Sequence, residues 1–245
     1  MFEIDENESV AVIMPIYDKV YPRAWAGHMM MMAKLSRLIK PENLGVMYCH
    51  KMPQPHSQNF LLSHATRTVN WGQYVHEFGG LNGKCPDWVL WVEDDAAPPE
   101  NGFELLREQA DPIERPVMHA MSFDRARPHY PSMWQYTDET RTKDRPIHEW
   151  KDDTLYQLSH SGTCFCLIHT SVFKKMERPW FKMQPPEPGV PDCIIPCRSL
   201  SQSMHRAGIP IHGYTGCVAS HMGEHLEVDA DYSRRYREFM AKGQS

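Results

Sequence analysis

Hydrophobic residues in this chain form short continuous runs, and between the runs apolar positions recur every three or four residues. Runs rich in β-branched and aromatic residues predict strands, and the longer spacing predicts helices with one buried face. The predicted strands are Val10–Ile16, Leu44–Cys49, Trp88–Val92, Val117–Phe123, Leu155–His169 and Ile209–Ala219. The predicted helices are Tyr21–Leu38, Gln58–Phe78, Phe103–Gln109, Ser171 to Met176, Asp192–Arg206 and a charged helix from Asp231. This alternation predicts an α/β fold with a mostly parallel central sheet flanked by helices.

The most informative of these runs ends in three consecutive acids. Trp88–Val92 has no polar alternation, which is typical of a strand buried on both faces. Glu93, Asp94 and Asp95 follow it directly, before Pro98 and Pro99 exclude any continuation of the strand. The acids should therefore lie at the carboxyl edge of a central strand, where open α/β sheets bind ligands.

Strand geometry also predicts how these acids are oriented. Side chains alternate along a strand, so Glu93 and Asp95 should point one way and Asp94 the other. Two carboxylates on one side suit Mg²⁺ or Mn²⁺ carrying a phosphate-bearing substrate. The alternative is an acidic, solvated turn.

Two regions lack a regular pattern. Asp124–Asp153 is polar and interrupted by proline, with too few apolar residues for a core of its own. We therefore predict one domain over residues 1–245, with a functional insertion at about 124–153. Trp180–Pro191 is rich in proline and irregular.

Charge and composition exclude several classes of protein. A net charge of −5 and a pI near 6.3 argue against a broad electrostatic surface for nucleic acid. The acidic N-terminus lacks the features of a secretory signal, and no apolar run is long enough for a membrane span. Seven scattered cysteines are too sparse for a disulfide scaffold, and reduced thiols favour a cytoplasmic location.

The chain carries a series of landmarks in a definite order: the first strand Val10–Ile16, Arg67 and Asn70, the acidic motif Glu93-Asp94-Asp95, the stretch from Asp192 to Arg198, Gly208-Ile209, and Ser220-His221-Met222-Gly223. In this order, the landmarks resemble those of the GT-A fold glycosyltransferases, particularly the family-2-like group, whose acidic motif is of the DxD type. One departure is Glu93, at a position where the family usually has Asp.

The resemblance implies a GT-A-type, Rossmann-like fold. It also implies metal-dependent transfer of a sugar from a UDP- or GDP-sugar donor to a hydroxyl acceptor. Asp95 would bind Mn²⁺ or Mg²⁺ at the donor diphosphate, His221 would complete the metal's protein ligands, and Glu93 would be either a further metal ligand or a ribose contact. Further donor-binding residues implied by the resemblance are Asp94, Arg67, Pro15 and Tyr17. Asp192 would be the base that deprotonates the acceptor, in a reaction that either inverts or retains the anomeric configuration.

Other interpretations of the same residues stay open at this point. Asp192 is equally well placed to be a helix cap. A nucleotidyltransferase would use the same sheet and acids, although residues 16–21 lack the glycine-rich first loop of that class. A non-catalytic nucleotide- or carbohydrate-binding module is a third possibility. The histidines His205, His212, His221 and His225 suggest a zinc site, but there is no HExxH pattern. The sequence does not specify the acceptor: the candidates are a glycan, a protein, a small metabolite and a modified nucleic-acid base. We expect acceptor choice to reside in Asp124–Asp153 and Trp180–Pro191.

Overall fold

The computed structural model describes residues 4–124, 129–138, 143–183, 196–222 and 227–241. Its strands are β1 (Val10–Ile16), β2 (Leu44–His50), β3 (His76–Gly79), β4 (Trp88–Val92), β5 (Ala96–Ala97), β6 (Val117–Met121), β7 (Met133–Tyr136), β8 (Asp144–Pro146), β9 (Leu155–Leu158), β10 (His160–Ser161), β11 (Phe165–His169), β12 (Ile211–Val218), β13 (Ser220–Met222) and β14 (Glu227–Val228). Its α-helices are α1 (Pro22–Leu38), α2 (His56–Ala65), α3 (Gly102–Gln109), α4 (Ser171–Lys174), α5 (Pro196–Arg206) and α6 (Ala230–Ala241).

Within the described residues, eight strands form one sheet in the order β3-β2-β1-β4-β11-β6-β12-β9. Strand β1 is parallel to β2 and β4, and β6 is parallel to β12. The remaining pairs are antiparallel, so five strands (β1, β2, β4, β6 and β12) run in one direction. The predicted mostly parallel α/β sheet is confirmed, and it is compatible with a GT-A-like, Rossmann-type fold.

The sheet separates two hydrophobic cores, as expected when central strands are covered on both faces. Alternate residues of β1 and β4 enter opposite cores: Ile13 and Trp91 pack on the side of α2 and α5, and Val12 and Leu90 pack on the side of α1 and α3. Every residue of β4 is fully buried, as its sequence predicts. The acidic motif is therefore attached to a strand that is buried along its whole length.

The helix predicted over Gln58–Phe78 is wrong in its second half. Helix α2 ends at Ala65, Arg67 takes a left-handed conformation (φ 56°), and the chain turns before β3 pairs antiparallel with β2. Glu77 of β3 is tied back to the end of α2 by a hydrogen bond with His64 and an ion pair with Arg67. Pairing with the sheet edge decides the conformation of this segment, and helical periodicity carries no information about such a distant partner.

Two smaller sheets complete the architecture. Strands β10, β7 and β8 form one of them, and the polar insertion contributes β7 and β8 to it. The segment Leu155–His169, predicted as one strand region, divides into β9, β10 and β11. The other small sheet, with the order β14-β13-β5, joins the chain just after the acidic motif to residues near the C-terminal end. No described helix has both the length and the apolar character needed to cross a membrane.

Candidate functional site

A cavity of about 710 Å³ opens at the carboxyl ends of β1 and β4, where the acidic motif lies. Six of the residues predicted for the site line it: Pro15, Tyr17, Glu93, Asp94, Asp95 and His221. Its lining also includes residues that the sequence did not single out, among them Asp18, Lys19, Gln54 and Ser57. The sheet edge therefore brings together most of the predicted site.

The three acids lie in a turn directly after β4. Ala96 N donates a hydrogen bond to Glu93 O at 3.1 Å, so the chain reverses at this point. All three acids line the same cavity, but their carboxylates have different partners: Asp94 contacts Tyr17 N, whereas Glu93 contacts Thr163 and Asp95 contacts His221.

Asp94 holds the loop after β1 in place. Its Oδ2 accepts a hydrogen bond from Tyr17 N at 2.8 Å, and its backbone O accepts one from Tyr21 N at 3.4 Å. These bonds fix the loop beside the motif and leave the ring of Tyr17 63% exposed at the cavity. Burial raises the pKa of Asp94, against the opposing effect of the Tyr17 hydrogen bond.

Glu93 is partly buried and is hydrogen-bonded through both its side chain and its backbone. Thr163 Oγ1 donates a hydrogen bond to Glu93 Oε1 at 2.6 Å, and Glu93 N donates to Cys164 O at 3.0 Å. Burial raises the pKa of Glu93, and the neighbouring charge of Asp95 raises it further. The sequence signal for Thr163 was Ser161-Gly162-Thr163, a stretch equally compatible with backbone approach to a substrate and with an ordinary strand start.

Asp95 and His221 meet although 126 residues separate them. The ladder between β5 and β13 sets the register of the two segments, and Met222 N donates to Asp95 O at 2.7 Å. As a result His221 Nε2 lies 3.2 Å from Asp95 Oδ2. Both side chains are largely buried, so the pair is well shielded from water.

The other ring nitrogen of His221 determines what the pair needs. Phe123 O lies 2.8 Å from His221 Nδ1, and a carbonyl oxygen only accepts, so Nδ1 carries a proton. If the ring were neutral, the lone pair of Nε2 would face the carboxylate oxygen of Asp95. The arrangement therefore calls for a cation between the two atoms, either a proton or a metal ion.

A buried histidine supports the motif from below. His28 on α1 donates from Nε2 to Ala96 O at 2.8 Å, directly after the acids. Burial lowers the pKa of His28, which favours the neutral ring. His28 lies on the face of the helix that the sequence predicts to be buried. A polar residue on such a face is the sequence signal that points to it.

We expect Glu93→Gln to stabilise the unliganded protein while weakening binding at the cavity. The raised pKa means that the stability of the wild type falls as the pH rises above 4.5, because the buried carboxyl must then ionise. Glutamine keeps the acceptor for Thr163 without the charge, so we expect the free energy of unfolding at neutral pH to rise by about 1 kcal/mol.

Urea unfolding measures this difference, and Thr163→Val is the matched comparison. Valine keeps the size of Thr163 but removes the donor to Glu93, so it should destabilise by about 1–2 kcal/mol. A Glu93→Gln protein less stable than the wild type at neutral pH would contradict the assignment of Glu93 as a strained buried charge.

Arg67 is not part of this cavity. Its guanidinium donates to both carboxylate oxygens of Glu77, at 2.8 and 2.5 Å, and its Nε donates to Lys84 O. With His64 and Glu77 it lines a separate recess of about 380 Å³. The structure does not bring Arg67 together with the acids, because the predicted long helix ends at Ala65 and the chain turns at Arg67.

Glu77 and its partners Arg67 and His64, which we call the Glu77 cluster, should make the free energy of unfolding depend on pH. Hydrogen bonds from Arg67, and then from His64, lower the pKa of Glu77 below its ordinary 4.5, although burial opposes them. A lowered carboxyl pKa adds stability above pH 4.5, and this contribution is lost as the pH falls toward the folded-state value. We therefore expect Glu77→Gln to cost about 1–2 kcal/mol at neutral pH, with a loss that shrinks in acid.

Urea unfolding of wild type and Glu77→Gln between neutral pH and about pH 4 tests this expectation. Exposed Glu114, replaced by Gln, controls for the loss of one negative charge. A difference in stability that stays constant or widens on acidification would refute the role of the Glu77 carboxylate.

Asp192, the predicted base, and His225, one of the histidines of the suggested zinc site, lie outside the described residues, so the structure assigns them no position. Among the described residues, no group of three or more His, Cys, Asp or Glu side chains is arranged to hold a metal ion. The Asp95–His221 pair therefore offers two protein ligands, and a bound ion would take the rest from substrate and water.

Comparisons with known proteins indicate the fold. No protein-family model and no curated protein matches the chain. The crystal structure of A197 from STIV is similar over 91% of this chain and 91% of A197, with 12% identity and a TM-score of 0.57. A glycosyltransferase involved in the glycosylation of the major capsid of PBCV-1 aligns over 70% of this chain and 68% of its own, with 12% identity and a TM-score of 0.32. The first likeness shows a shared fold, and the second is too weak to support a conclusion.

Proposed function

We propose that this protein is a metal-dependent glycosyltransferase, which moves a sugar from a UDP- or GDP-sugar to a hydroxyl acceptor. The observation that carries the proposal is the Asp95–His221 pair, whose facing Oδ2 and Nε2 atoms call for a cation. This pair lies at the carboxyl edge of a mostly parallel sheet, in a cavity of about 710 Å³. Such edges are where open α/β sheets bind ligands, and the volume is within the range of small-molecule sites.

The donor set fits Mn²⁺ or Mg²⁺. Carboxylate oxygen suits both ions. A ligand set that includes the imidazole of His221 favours Mn²⁺ more than an all-oxygen set would. Two protein ligands leave room for diphosphate oxygens and water, as Mg²⁺ sites with nucleotide substrates usually have. When bound, the ion acts as a Lewis acid that neutralises the charge growing on the departing diphosphate.

The residues of this chain have distinct parts in the proposal. Asp95 and His221 hold the cation, and the buried Glu93 contacts either the cation or the ribose. Tyr17 offers an exposed ring at the cavity for stacking on the nucleobase, and Asp94 fixes the loop that carries Tyr17. Pro15 forms the wall at the end of β1. Asp192 is the proposed base: it takes the acceptor hydroxyl proton while the oxygen bonds to the anomeric carbon and the bond to the diphosphate breaks.

A thermal-unfolding screen with UDP, GDP, CDP and their sugars, each with and without Mn²⁺, tests the proposal. We expect stabilisation that requires both nucleotide and metal, of about 2.7 kcal/mol at a ligand concentration of 100 Kd. Failure of every nucleotide to bind in the presence of Mn²⁺ would overturn the proposal.

The product distinguishes the proposed enzyme from its rivals. A glycosyltransferase releases a nucleoside diphosphate from the donor, whereas a nucleotidyltransferase using a nucleoside triphosphate releases pyrophosphate. Nucleotide binding with no product from any donor and acceptor would indicate a binding module. Mass spectrometry of the reaction mixtures reads out these outcomes.

A further inference from the structure

A second cavity, of about 610 Å³, lies beside the acidic one. Its lining includes the aromatic residues Phe60, Trp71 and Phe181, which we call its floor and of which Phe181 is only 1% exposed. The basic residues His56, Arg178 and Lys182 also line it, and we call them its rim. We call these six residues the aromatic groove. None of them was predicted as a site residue, and the proposed donor chemistry makes no use of them.

The floor of the groove is held rigidly. Phe60 and Trp71 stack with ring centroids 4.0 Å apart at 10°, and Phe181 packs on the buried Trp91 at 5.3 Å. Asn59 fixes the segment that carries Phe181, because its Nδ2 donates to Phe181 O at 2.8 Å and its Oδ1 accepts from Phe181 N at 3.1 Å. A preorganised aromatic surface binds a ligand with little loss of conformational entropy.

The Glu77 cluster supports this floor from behind. Trp71 N donates to His64 Nδ1 at 3.1 Å, while the other ring nitrogen of His64 lies 2.9 Å from Glu77 Oε2. Arg67 completes the cluster through its two bonds to Glu77. The polar network around Arg67 therefore positions Trp71.

The rim of the groove is positively charged, in contrast to the acidic cavity. Arg178 is exposed, Lys182 is half-buried, and neither pairs with an acidic side chain in the part of the chain that the structure describes. Lys182 is anchored through its backbone, whose N donates to Ser199 Oγ at 2.8 Å, so its ammonium group is not needed to hold the chain. Two cations beside an apolar floor favour an anionic ligand.

The groove and the acidic cavity share one wall. Pro53, Gln54 and Ser57, in the loop before α2 and its first turn, line the acidic cavity, whereas Pro55 and His56, from the same stretch, line the groove. Met183 lines both and is 52% exposed. A ligand that reaches over this loop would therefore occupy both cavities.

We propose that the aromatic groove binds the sugar rings of an acidic glycan, whose reactive hydroxyl lies in the acidic cavity. This inference rests on the proposed glycosyltransferase function and names its acceptor class. The C–H faces of sugar rings pack on aromatic rings, their hydroxyls stay in contact with water in an open groove, and a carboxylate or sulfate pairs with Arg178 and Lys182. A neutral glycan would use only part of this surface.

A glycan array of acidic and neutral oligosaccharides, followed by calorimetry on the best acidic and the best neutral glycan, tests the inference. We expect the wild type to prefer acidic glycans, with a Kd that rises with salt. The double variant Arg178→Glu/Lys182→Glu should weaken acidic binding at least tenfold. Lys174→Glu/Lys175→Glu is the matched control, because both lysines are exposed outside the groove and the change in charge is the same.

A second variant tests the aromatic floor independently of charge. Trp71→Leu should weaken the binding of acidic and neutral glycans by similar factors, and Trp71→Phe should restore most of the affinity. Thermal unfolding of each variant shows whether the fold is intact. Equal glycan affinity in the wild type, the charge variant and Trp71→Leu would overturn the inference.

The remaining outcomes separate the inference from its foundation and its rival. Nucleotide binding with Mn²⁺ by the wild type, without any binding of acidic glycans, would overturn the groove assignment and leave the proposed function standing. Absence of metal-dependent nucleotide binding by the wild type would overturn both the proposed function and the groove assignment. Binding to phosphatidylserine vesicles that depends on Arg178 and Lys182, with no glycan binding, would assign the groove to a membrane surface instead.

Discussion

Asp95→Asn should lower the affinity for nucleotide in the presence of Mn²⁺ by about 100-fold or more, which corresponds to roughly 2.7 kcal/mol. Asparagine has nearly the shape of Asp95 but no charge, so it removes the anionic half of the pair with His221. Calorimetric titration of UDP or GDP, with and without Mn²⁺, measures the loss. Binding without metal should change little, because the proposed contact of Asp95 is with the ion.

The controls for Asp95→Asn are a variant of an acid outside the cavity and a variant of its partner His221. Glu114→Gln, on the exposed surface, should bind as the wild type does. His221→Ala should reduce metal-dependent binding, and the double variant with Asp95→Asn should be no weaker than the poorer single variant, because both ligands serve one ion. Additive losses, or full binding by Asp95→Asn, would exclude a shared metal site.

Gly80→Ala should have the largest effect on stability, a loss of about 3 kcal/mol. A Cβ at Gly80 would lie 2.1 Å from Pro41 O and 2.4 Å from Glu42 Cα, and both neighbours are backbone atoms that no side-chain rotation can move. Gly80 N also donates to Leu44 O at 2.9 Å, so the clash would disturb the pairing of β2 and β3. Urea unfolding of the variant measures the loss.

Gly83→Ala is the matched control for steric crowding. Gly83 has a positive φ of 80°, but a Cβ there meets nothing within 4 Å. Only the backbone conformation opposes alanine at this position, at a cost of about 1 kcal/mol. If both variants lost the same stability, the close approach of residues 41–42 to Gly80 would not be a determinant of the fold.

The predicted elements succeeded where local pattern and tertiary environment agree. The sequence places β1 and β4 at their observed bounds, because an uninterrupted β-branched and aromatic run is stable only when it is buried on both faces. Helix α1 begins one residue after its predicted start, at Pro22. The acidic motif was found for the same reason, since three acids directly after a buried strand must lie at the edge of the sheet.

The failures lie where a distant partner decides the local structure. Arg67 and Glu77 were assigned to one helix, yet Glu77 pairs with the sheet edge in β3 and Arg67 turns back toward it. The acids lie in a turn and do not continue the strand, because hydrogen bonds to residues of other segments hold the chain after Val92. Propensity over a short window contains no record of either contact.

The sequence by itself determined the α/β class and the position of the acids at the end of a central strand. Only the tertiary structure decided that Asp95 Oδ2 meets His221 Nε2 at 3.2 Å, and that Phe123 O fixes the proton on the other ring nitrogen. It also placed Phe60, Trp71 and Phe181 in one groove beside two cations. Burial patterns are local and can be seen in periodicity, whereas these juxtapositions depend on strand register and chain reversal over more than a hundred residues.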